Sequence, residues 1–209
     1  LLDPKAALRR ALDAGRVHLD GGAMFGIVPK PLWERRAPAD DRNRIALALR
    51  CLLVEHDDGL VQRGELDFAT HTSERTAASY LAPNVAPLAA AGLVDEIVGE
   101  GEVVPGVRVL PTPGHVPFHQ SVLVESAGET ACFLGDVVPT AAHLPLPWIM
   151  GYDVEPLRTL ESKRTLLARA EAEGWLLIFE HDAHVSVGRT AHDGKAYALL
   201  PAAPAGETA

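Results

Sequence analysis

Cysteine and aromatic residues are scarce in this sequence. Its 209 residues include two cysteines, and aromatic residues make up 5% of the chain. Cys51 and Cys132 both lie in apolar, strand-like runs, which favours buried free thiols in a reducing compartment over a disulfide or a pair of metal ligands. Charges at Asp3, Lys5 and Arg9 interrupt the N-terminal segment, so it does not resemble a secretory signal. We therefore expect a cytoplasmic protein.

Long apolar runs and clusters of basic residues are also missing. No apolar run is long enough to span a bilayer. The chain has 19 Lys and Arg residues against 28 Asp and Glu residues, which gives a formal net charge of -9 and no basic patch. We therefore expect neither a membrane nor a nucleic acid as a partner. The 47% of hydrophobic and 22% of charged residues are ordinary for a globular protein, and the length suits one compact domain over residues 1–209.

The sequence does contain many short apolar runs separated by Gly, Pro and Asp turns. These runs predict short strands. The clearest helix is predicted late in the chain, from Pro156 up to Gly174, with an apolar stripe that includes Leu157 and Leu167. A shorter amphipathic helix is predicted over residues 4–14. Many strands with few helices predict an α+β domain with a layered αββα architecture.

Polar side chains follow three of the predicted strands, at the point where each strand ends. "GVRVLPTPGH" delivers His115, "TACFLGD" delivers Asp136, and "WLLIFEHD" delivers His181. Side chains in such places are held by a rigid sheet and yet project into a crevice. Two imidazoles and one carboxylate suit Zn²⁺ or a similar cation. The sequence therefore predicts a metal site that contains these three residues.

The residues that precede the candidates support this interpretation. Pro-Thr-Pro-Gly ends the strand pairing and fixes the loop that presents His115. Gly114 and Gly135 allow the backbone to turn sharply and to approach its neighbours closely just before His115 and Asp136. The prolines and glycines thus predict loops that are built to aim a side chain.

Each candidate also has a simpler interpretation. A single His after a strand is usually a surface residue or a hydrogen-bonded core residue, and Gly-Asp is a common turn. The combination of all three is therefore what carries the prediction. We interpret His119 as a structural residue or as a support for a ligand, and His56 as the tip of a hairpin. His18, His71 and His192 are expected to be exposed.

Several longer stretches resemble the metallo-β-lactamase fold superfamily, in particular its branch of quorum-quenching lactonases and methyl parathion hydrolase-like enzymes. They cover most of the chain in the family's order: "LDGGAMFGIVPKPLW", "LALRCLLVE", "VQRGELDFA", "VPGVRVLPTPGHVPFHQSVLVE", "FLGDVVPTAAHLPLPW" and "FEHD". The resemblance implies an αββα sandwich with two divalent metals, expected to be zinc, at one edge of the sheets. By the same resemblance His115 would bind the first metal, Asp136 would bridge both, and His181 would bind the second.

The resemblance also implies a reaction and a pocket. The expected chemistry is hydrolysis of a small-molecule lactone, ester or phosphotriester by a metal-bound hydroxide. No Gly-x-Ser-x-Gly motif points to a serine nucleophile instead. Met24, Phe25, His143 and Trp148 fall in loops that would border the substrate pocket. The alternative for Met24, Phe25 and Trp148 is that they simply pack in the core.

One departure from the family pattern concerns its most diagnostic motif. His-x-His-x-Asp-His occurs nowhere in this sequence. In the family a strand, a helix and the motif loop follow the hairpin that corresponds to "CLLVEHDDGLV", whereas here Val61 joins directly to Gln62. Three explanations are open: the molecule contains a segment that this sequence does not show, the gene product lacks the segment, or other residues substitute for it. The third is the weakest, because His56 and Asp57 have no suitable ligand spacing.

The departure leaves two functions open. With the segment present, the chain would be a hydrolase with two metals. Without it, we expect one metal or none and little turnover, and the alternative is a non-catalytic remnant of the fold that acts as a binding or assembly module. Loss of a strand and a helix would expose sheet edges and apolar faces, which favours a homodimer or aggregation.

Overall fold

A computed structural model describes residues 11–52, 59–81 and 94–200, together with residues 83, 86, 87 and 90. Its strands are β1 Ala11–Asp20, β2 Arg44–Leu52, β3 Gly59–Gln62, β4 Val94–Ile97, β5 Gly101–Val104, β6 Val107–Pro111, β7 Gln120–Ser126, β8 Glu129–Phe133, β9 Leu176–Ile178, β10 Val187–Gly188, β11 Thr190–His192 and β12 Tyr197–Leu199. Its α-helices are α1 Gly21–Phe25, α2 Lys30–Trp33, α3 Arg63–Thr70 and α4 Pro156–Glu173. Short 3-10 turns occupy Gly135–Val137 and Ala141–His143.

The largest sheet has six strands in the order β10-β9-β8-β7-β6-β5. Its neighbours pair antiparallel except β8 and β9, which run parallel. A parallel pair needs a long crossover connection, and α4 lies in the segment that joins β8 to β9. The apolar side chains of the sheet and of α4 form one core cluster, which includes Leu123, Leu166, Leu167 and Leu177.

A second layer is built from β1 and β2. The two strands pair antiparallel, and β2 contributes Ile45 and Leu47 to a core cluster with Met24 and Phe25 of α1 and Trp33 of α2. Helices therefore lie against both sheets. This arrangement confirms the predicted α+β class and agrees with the αββα layering.

The join between Val61 and Gln62 lies inside a regular element. Both residues belong to β3, which pairs in parallel with β4, and α3 begins at Arg63 directly after it. The chain therefore passes through the join without an irregular connection.

The predicted late helix is confirmed, but its stripe needs correction. The helix α4 begins at Pro156, and Gly174 ends it in the left-handed conformation with φ 67°. Leu157 is 79% exposed, whereas Thr159, Lys163, Leu166, Leu167 and Ala170 are buried. The buried face of α4 therefore begins at Thr159, two residues later than predicted.

Other predictions had mixed outcomes. The helix over 4–14 is wrong for residues 11–14, which belong to β1, and residues 4–10 lie outside the described residues, as does the hairpin tip at His56. Cys132 is buried, but Cys51 is exposed. The alternation of β2 turns Cys51 outward near the end of the strand. Among the described helices, none combines the length and the apolar character needed to cross a membrane.

Candidate metal centre

The three strand ends that the sequence singles out meet at one place. His115 follows β6, Asp136 follows β8 and His181 follows β9, and these strands belong to the six-stranded sheet. His115 Nε2 lies 3.3 Å from Asp136 Oδ2, and His181 Nε2 lies 3.2 Å from Asp136 Oδ1. Each oxygen of one carboxylate thus faces one imidazole.

The ring of His115 is oriented from behind by a buried carboxylate. His115 Nδ1 donates to Asp153 Oδ1 at 2.9 Å. The other oxygen of Asp153 accepts from Thr159 Oγ1 at 2.6 Å, so its side chain is held by α4. An imidazole that donates through Nδ1 keeps Nε2 as its ligating nitrogen, and carboxylates commonly support metal-binding histidines in this way.

The ring of His181 is oriented by β2. Its Nδ1 donates to the carbonyl of Ala48 at 3.0 Å. The backbone is fixed as well, because Ala48 N–H donates to the His181 carbonyl at 3.0 Å and His181 N–H donates to the Pro139 carbonyl at 2.9 Å. The other ring nitrogen of His181, Nε2, therefore points toward Asp136, as does Nε2 of His115.

His119 supports Asp136 through the backbone. The N–H of Asp136 donates to His119 Nε2 at 3.1 Å, and His119 Nδ1 lies 3.1 Å from the carbonyl of Thr112 and 2.8 Å from its hydroxyl. Burial lowers the pKa of His119 to about 4, so the ring is neutral near pH 7. Both of its nitrogens are engaged within the protein, which leaves none directed at a ligand.

The two glycines before the candidate ligands are required by close contacts. Gly114 has φ 142°, and a Cβ there would overlap the backbone of Thr159. Gly135 has φ 60°, and a Cβ there would lie 2.8 Å from His119 Nε2. Both positions therefore combine a backbone conformation that favours glycine with a space that only glycine fits, as the sequence predicts.

The electrostatics of the cluster follow from burial and from mutual contacts. Burial opposes ionisation of Asp136, but the hydrogen bond with His181 and the charge of His115 outweigh it and lower its pKa to about 2. Burial likewise opposes protonation of His181, but Asp136 raises its pKa to about 9. Burial and the neighbouring Asp136 raise the pKa of Glu180 to about 7. The carboxylate of Asp136 is thus stabilised in its charged form by a positive group on each side.

The donor set of the cluster suits a divalent metal. Both Nδ1 atoms donate elsewhere, so each Nε2 faces Asp136 with its lone pair unless it carries a second proton. Each Nε2 lies 3.2–3.3 Å from an oxygen of Asp136. Because a nitrogen lone pair and a carboxylate oxygen repel each other at this distance, either a proton or a cation must lie between them. Imidazole nitrogens and carboxylate oxygens are common zinc ligands. The residues present therefore fit a metal ion at this place.

The cluster lies in the wall of a cavity of about 720 Å³. His115, His119, Asp136 and His181 line one part of it. The strands β1 and β2 contribute an apolar wall: Val17, Leu19, Leu47 and Leu49. The segment from α3 onward contributes polar groups that include Glu65, Arg75 and Tyr80. A small molecule with an apolar part can thus reach the metal ligands.

The predicted pocket residues are divided between the cavity and the core. Met24 lines the cavity, whereas Phe25, His143 and Trp148 are not among its described lining residues. Phe25 stacks on His143 with ring centroids 4.4 Å apart, and Trp148 meets Phe25 edge-on at 5.7 Å. His143 Nε2 donates to the Met24 carbonyl at 2.8 Å. These three side chains pack against one another behind the cavity, as the alternative of core packing has it for Phe25 and Trp148.

Sequence reasoning missed two carboxylates near the cluster. One is Asp153, which orients His115. The other is Glu180, whose ligand atom lies within 4.8 Å of those of Asp136 and His181. Glu180 had a local signal, since it directly precedes His181 at the same strand end. Asp153 had a weaker one, since it lies three residues before Pro156 at the start of α4. The histidines expected to be exposed, His18, His71 and His192, are exposed.

Comparison with known proteins agrees with the resemblance. The sequence model of the metallo-beta-lactamase superfamily matches residues 50–181. An N-acyl homoserine lactonase of a Bacillus species is 42% identical over 67 residues, which are 32% of this chain and 24% of that protein. An N-acyl homoserine lactonase of Bacillus thuringiensis is 32% identical over 126 residues, which are 59% of this chain and 46% of that protein. The chain thus spans less than half the length of these curated relatives.

Solved structures with little sequence identity share the fold. A probable metal-dependent hydrolase from Staphylococcus aureus superposes with a TM-score of 0.79 at 20% identity, covering 91% of this chain and 96% of that one. A dizinc quorum-quenching lactonase, solved with its product N-hexanoyl-L-homoserine, superposes with a TM-score of 0.74 at 12% identity, covering 93% and 94%. At these identities the likeness establishes the fold alone, and it confirms the predicted one.

Proposed function

Because the chain belongs to the metallo-β-lactamase superfamily, we propose that it is a metal-dependent hydrolase that acts on a lactone, an ester or a phosphotriester. One observation carries the proposal. The Asp136 carboxylate lies between the Nε2 atoms of His115 and His181, and each ring is tied through its Nδ1 to a partner outside the cavity. Such fixed rings around a shared carboxylate are suited to holding a cation.

The residues that would hold metal are Asp136, with His115 at its Oδ2 and His181 at its Oδ1, and zinc fits their donor types best. The chemistry that a bound zinc ion supplies is a hydroxide near neutral pH and polarisation of the substrate oxygen. Asp153 holds the proton of His115 on Nδ1, and Ala48 does the same for His181. Asp136 is fixed at its backbone by His119. The chain's own contribution is thus a set of ligands with little freedom to turn.

The cavity supports a small substrate with an apolar part. Leu19, Leu47 and Leu49 line the side next to the cluster, and they would exclude water from one face of a bound molecule. Since the curated relatives with the matching stretches are N-acyl homoserine lactonases, we propose lactones as the first substrate class to test. Esters and phosphotriesters come next.

Three further expectations belong to the same proposal. Residues 1–209 form a single domain, the protein acts in the cytoplasm, and it associates as a homodimer. The free thiols Cys51 and Cys132 support a reducing compartment. The pair β3–β4 forms a separate two-stranded sheet, and its strand edges support association with a second copy.

Metal-dependent hydrolysis tests the proposed function directly. The chelator-treated protein should be inactive, and added Zn²⁺, Mn²⁺ or Co²⁺ should restore turnover of N-hexanoyl homoserine lactone, an aryl ester or a phosphotriester. His181→Ala should abolish that turnover, while His192→Ala, at an exposed position that is not among the described lining residues of the cavity, should not change it. Failure to hydrolyse any of the three substrate classes with any of the three metals would overturn the proposal.

A second function is favoured by one observation, the absence of His-x-His-x-Asp-His from the sequence. A chain without that motif could serve as a binding or assembly module that has lost turnover. The intact mass of the protein isolated from its natural source separates the cases. A mass that matches the 209 residues supports a real absence of the motif, whereas a heavier chain whose peptide map contains residues between Val61 and Gln62 shows that the segment exists. A protein of the lower mass that still hydrolyses a substrate would exclude the module.

A further inference from the structure

A third acidic group lies beside the predicted ligands. Glu180 Oε1 is 4.0 Å from His181 Nε2, and Asp136 Oδ1 is 3.2 Å from the same nitrogen. Ligand atoms of Asp136, Glu180 and His181 all lie within 4.8 Å of one another. Ligand atoms around a tetrahedral zinc ion are about 3.4 Å apart, as follows from metal–ligand distances of roughly 2.1 Å. The three groups therefore need only a small movement to share one ion.

The local backbone explains how neighbouring residues reach one place. Consecutive side chains of a strand point to opposite faces, but β9 ends at Ile178 and a bend follows at Glu180 and His181. Arg50 holds this bend, because its guanidinium donates to the carbonyls of Phe179 and Asp182. Its backbone N–H also donates to the Glu180 carbonyl at 3.2 Å. The bend is thus fixed by β2 and turns both side chains toward Asp136.

Charge favours a cation at the same point. Two carboxylates that share a partly buried site repel each other unless a positive group lies between them. The side chain of Glu180 is 28% exposed, and within the described residues its closest charged contact is His181. The nearby guanidinium of Arg50 is directed at backbone carbonyls. A divalent cation would satisfy both carboxylates together.

We propose that Glu180 is a metal ligand, and that it forms with Asp136 and His181 a site for a single divalent cation, Zn²⁺ or an ion of similar preference. The inference rests on the proposed function for the presence of a metal and goes beyond it in the ligand and in the stoichiometry. These three ligand groups meet on the Oδ1 side of Asp136, and His115 faces the Oδ2 side, outside this group. The site has three protein ligands and remains open toward the cavity, as catalytic zinc sites do.

Metal binding without substrate tests the proposal. The full chain, freed of metal by a chelator, is titrated with Zn²⁺ by calorimetry and with Co²⁺ by its visible absorption. The wild type should bind one ion per chain. Glu180→Gln should bind at least tenfold more weakly and change the Co²⁺ spectrum, and Glu180→Asp should lie between the two. Glu161→Gln, which removes an exposed carboxylate from α4, should match the wild type.

Other outcomes would decide against the proposal or against the enzyme separately. Two ions per wild-type chain, or wild-type affinity in a Glu180→Gln protein with an unchanged circular dichroism spectrum and melting temperature, would overturn the role of Glu180. If one ion binds and depends on Glu180 but no substrate is hydrolysed, the ligand assignment stands and the proposed function fails. If metal-dependent hydrolysis is seen but Glu180→Gln has no effect on metal affinity, the proposed function stands and the assignment of Glu180 as a ligand fails.

Discussion

Two walls of the cavity differ in the polar groups that they present. On the strand-end side, which we define as His115, Asp136 and His181, every side chain is oriented through an atom that does not face the cavity. On the join side, which we define as β3, α3 and residues 71–81, Tyr80 donates to Glu65 Oε1 at 2.6 Å, and the described lining residues include no imidazole. The difference indicates that metal chemistry depends on the strand-end side, while the join side shapes the rest of the cavity.

The largest expected effect comes from removing the centre of the strand-end side. Asp136→Asn keeps the shape of the side chain but removes the charge that both imidazoles face. We expect Zn²⁺ affinity to fall by more than the roughly 10–100-fold that supporting residues are worth, with loss of any turnover. Calorimetry of the metal-free protein measures this, with the exposed Asp193→Asn as the matched control. Wild-type affinity in Asp136→Asn would remove the strand-end side from the metal site.

A smaller effect is expected from the carboxylate behind His115. Asp153→Asn retains an acceptor for Nδ1 but loses the charge that orients the ring of His115 toward Asp136, and it disturbs the hydrogen bond from Thr159. Because His115 does not belong to the group of Asp136, Glu180 and His181, we expect metal affinity to fall by less than tenfold, with the fold retained. Thr159→Val, which removes only the hydroxyl, should give a weaker effect in the same direction. Equal affinities in all three proteins would mean that the orientation of His115 is unimportant for binding.

A pH effect on stability is expected from Lys163, which anchors the loop beside the strand-end side. Its ammonium donates to the carbonyls of Pro145 and Trp148, both at 2.8 Å. Burial lowers its pKa to about 7, from the ordinary 10.5 of an unfolded chain. The unfolded state therefore binds more protons between these values, so this residue makes the folded state more stable as the pH rises from about 7 to 10.5.

Urea unfolding of the wild type and of Lys163→Met at several pH values measures the contribution of Lys163 to the unfolding free energy. The difference in unfolding free energy, wild type minus variant, should increase between pH 7 and pH 10. Exposed Lys195→Met should show a flat difference over the same range. A flat difference for Lys163→Met as well would mean that the lysine keeps its ordinary proton affinity in the core.

The smallest effect is expected on the join side. Glu65→Gln removes the charge of a cavity carboxylate that holds the hydroxyl of Tyr80. We expect less than a twofold change in Zn²⁺ affinity, because this carboxylate does not belong to the group of Asp136, Glu180 and His181. Any effect should appear in the KM of a substrate instead, and Tyr80→Phe should reproduce it. A tenfold loss of metal affinity in Glu65→Gln would mean that residues of both walls take part in metal binding.

Much of the candidate site could be predicted without a structure. His115, Asp136 and His181 each end an apolar run, and the prolines and glycines before them are readable as loops that aim a side chain. The limits of α4 were also predictable, since Pro156 and Gly174 carry helix-start and helix-stop chemistry in their own backbones. These features are local, so the chain order alone contains them.

The supporting contacts could not be predicted, because they join segments far apart in the chain. His181 Nδ1 meets the Ala48 carbonyl across 133 positions, and His143 meets the Met24 carbonyl across 119 positions. No local pattern states which way a ring turns, so the sequence left open whether Phe25 and Trp148 line the cavity or pack in the core. In the structure they pack with His143 behind the cavity. Side-chain direction depends on packing among all the layers at once.

By itself, therefore, the sequence determined the class of fold, the three strand ends that carry His115, Asp136 and His181, and the absence of His-x-His-x-Asp-His at the join. The tertiary structure alone decided that Asp153 stands behind one imidazole and that Glu180 shares a position with Asp136. The physical reason is the range of the interactions. Turns and strand ends are set by neighbouring residues, whereas a metal site is set by the meeting of loops that only the folded sheets bring together.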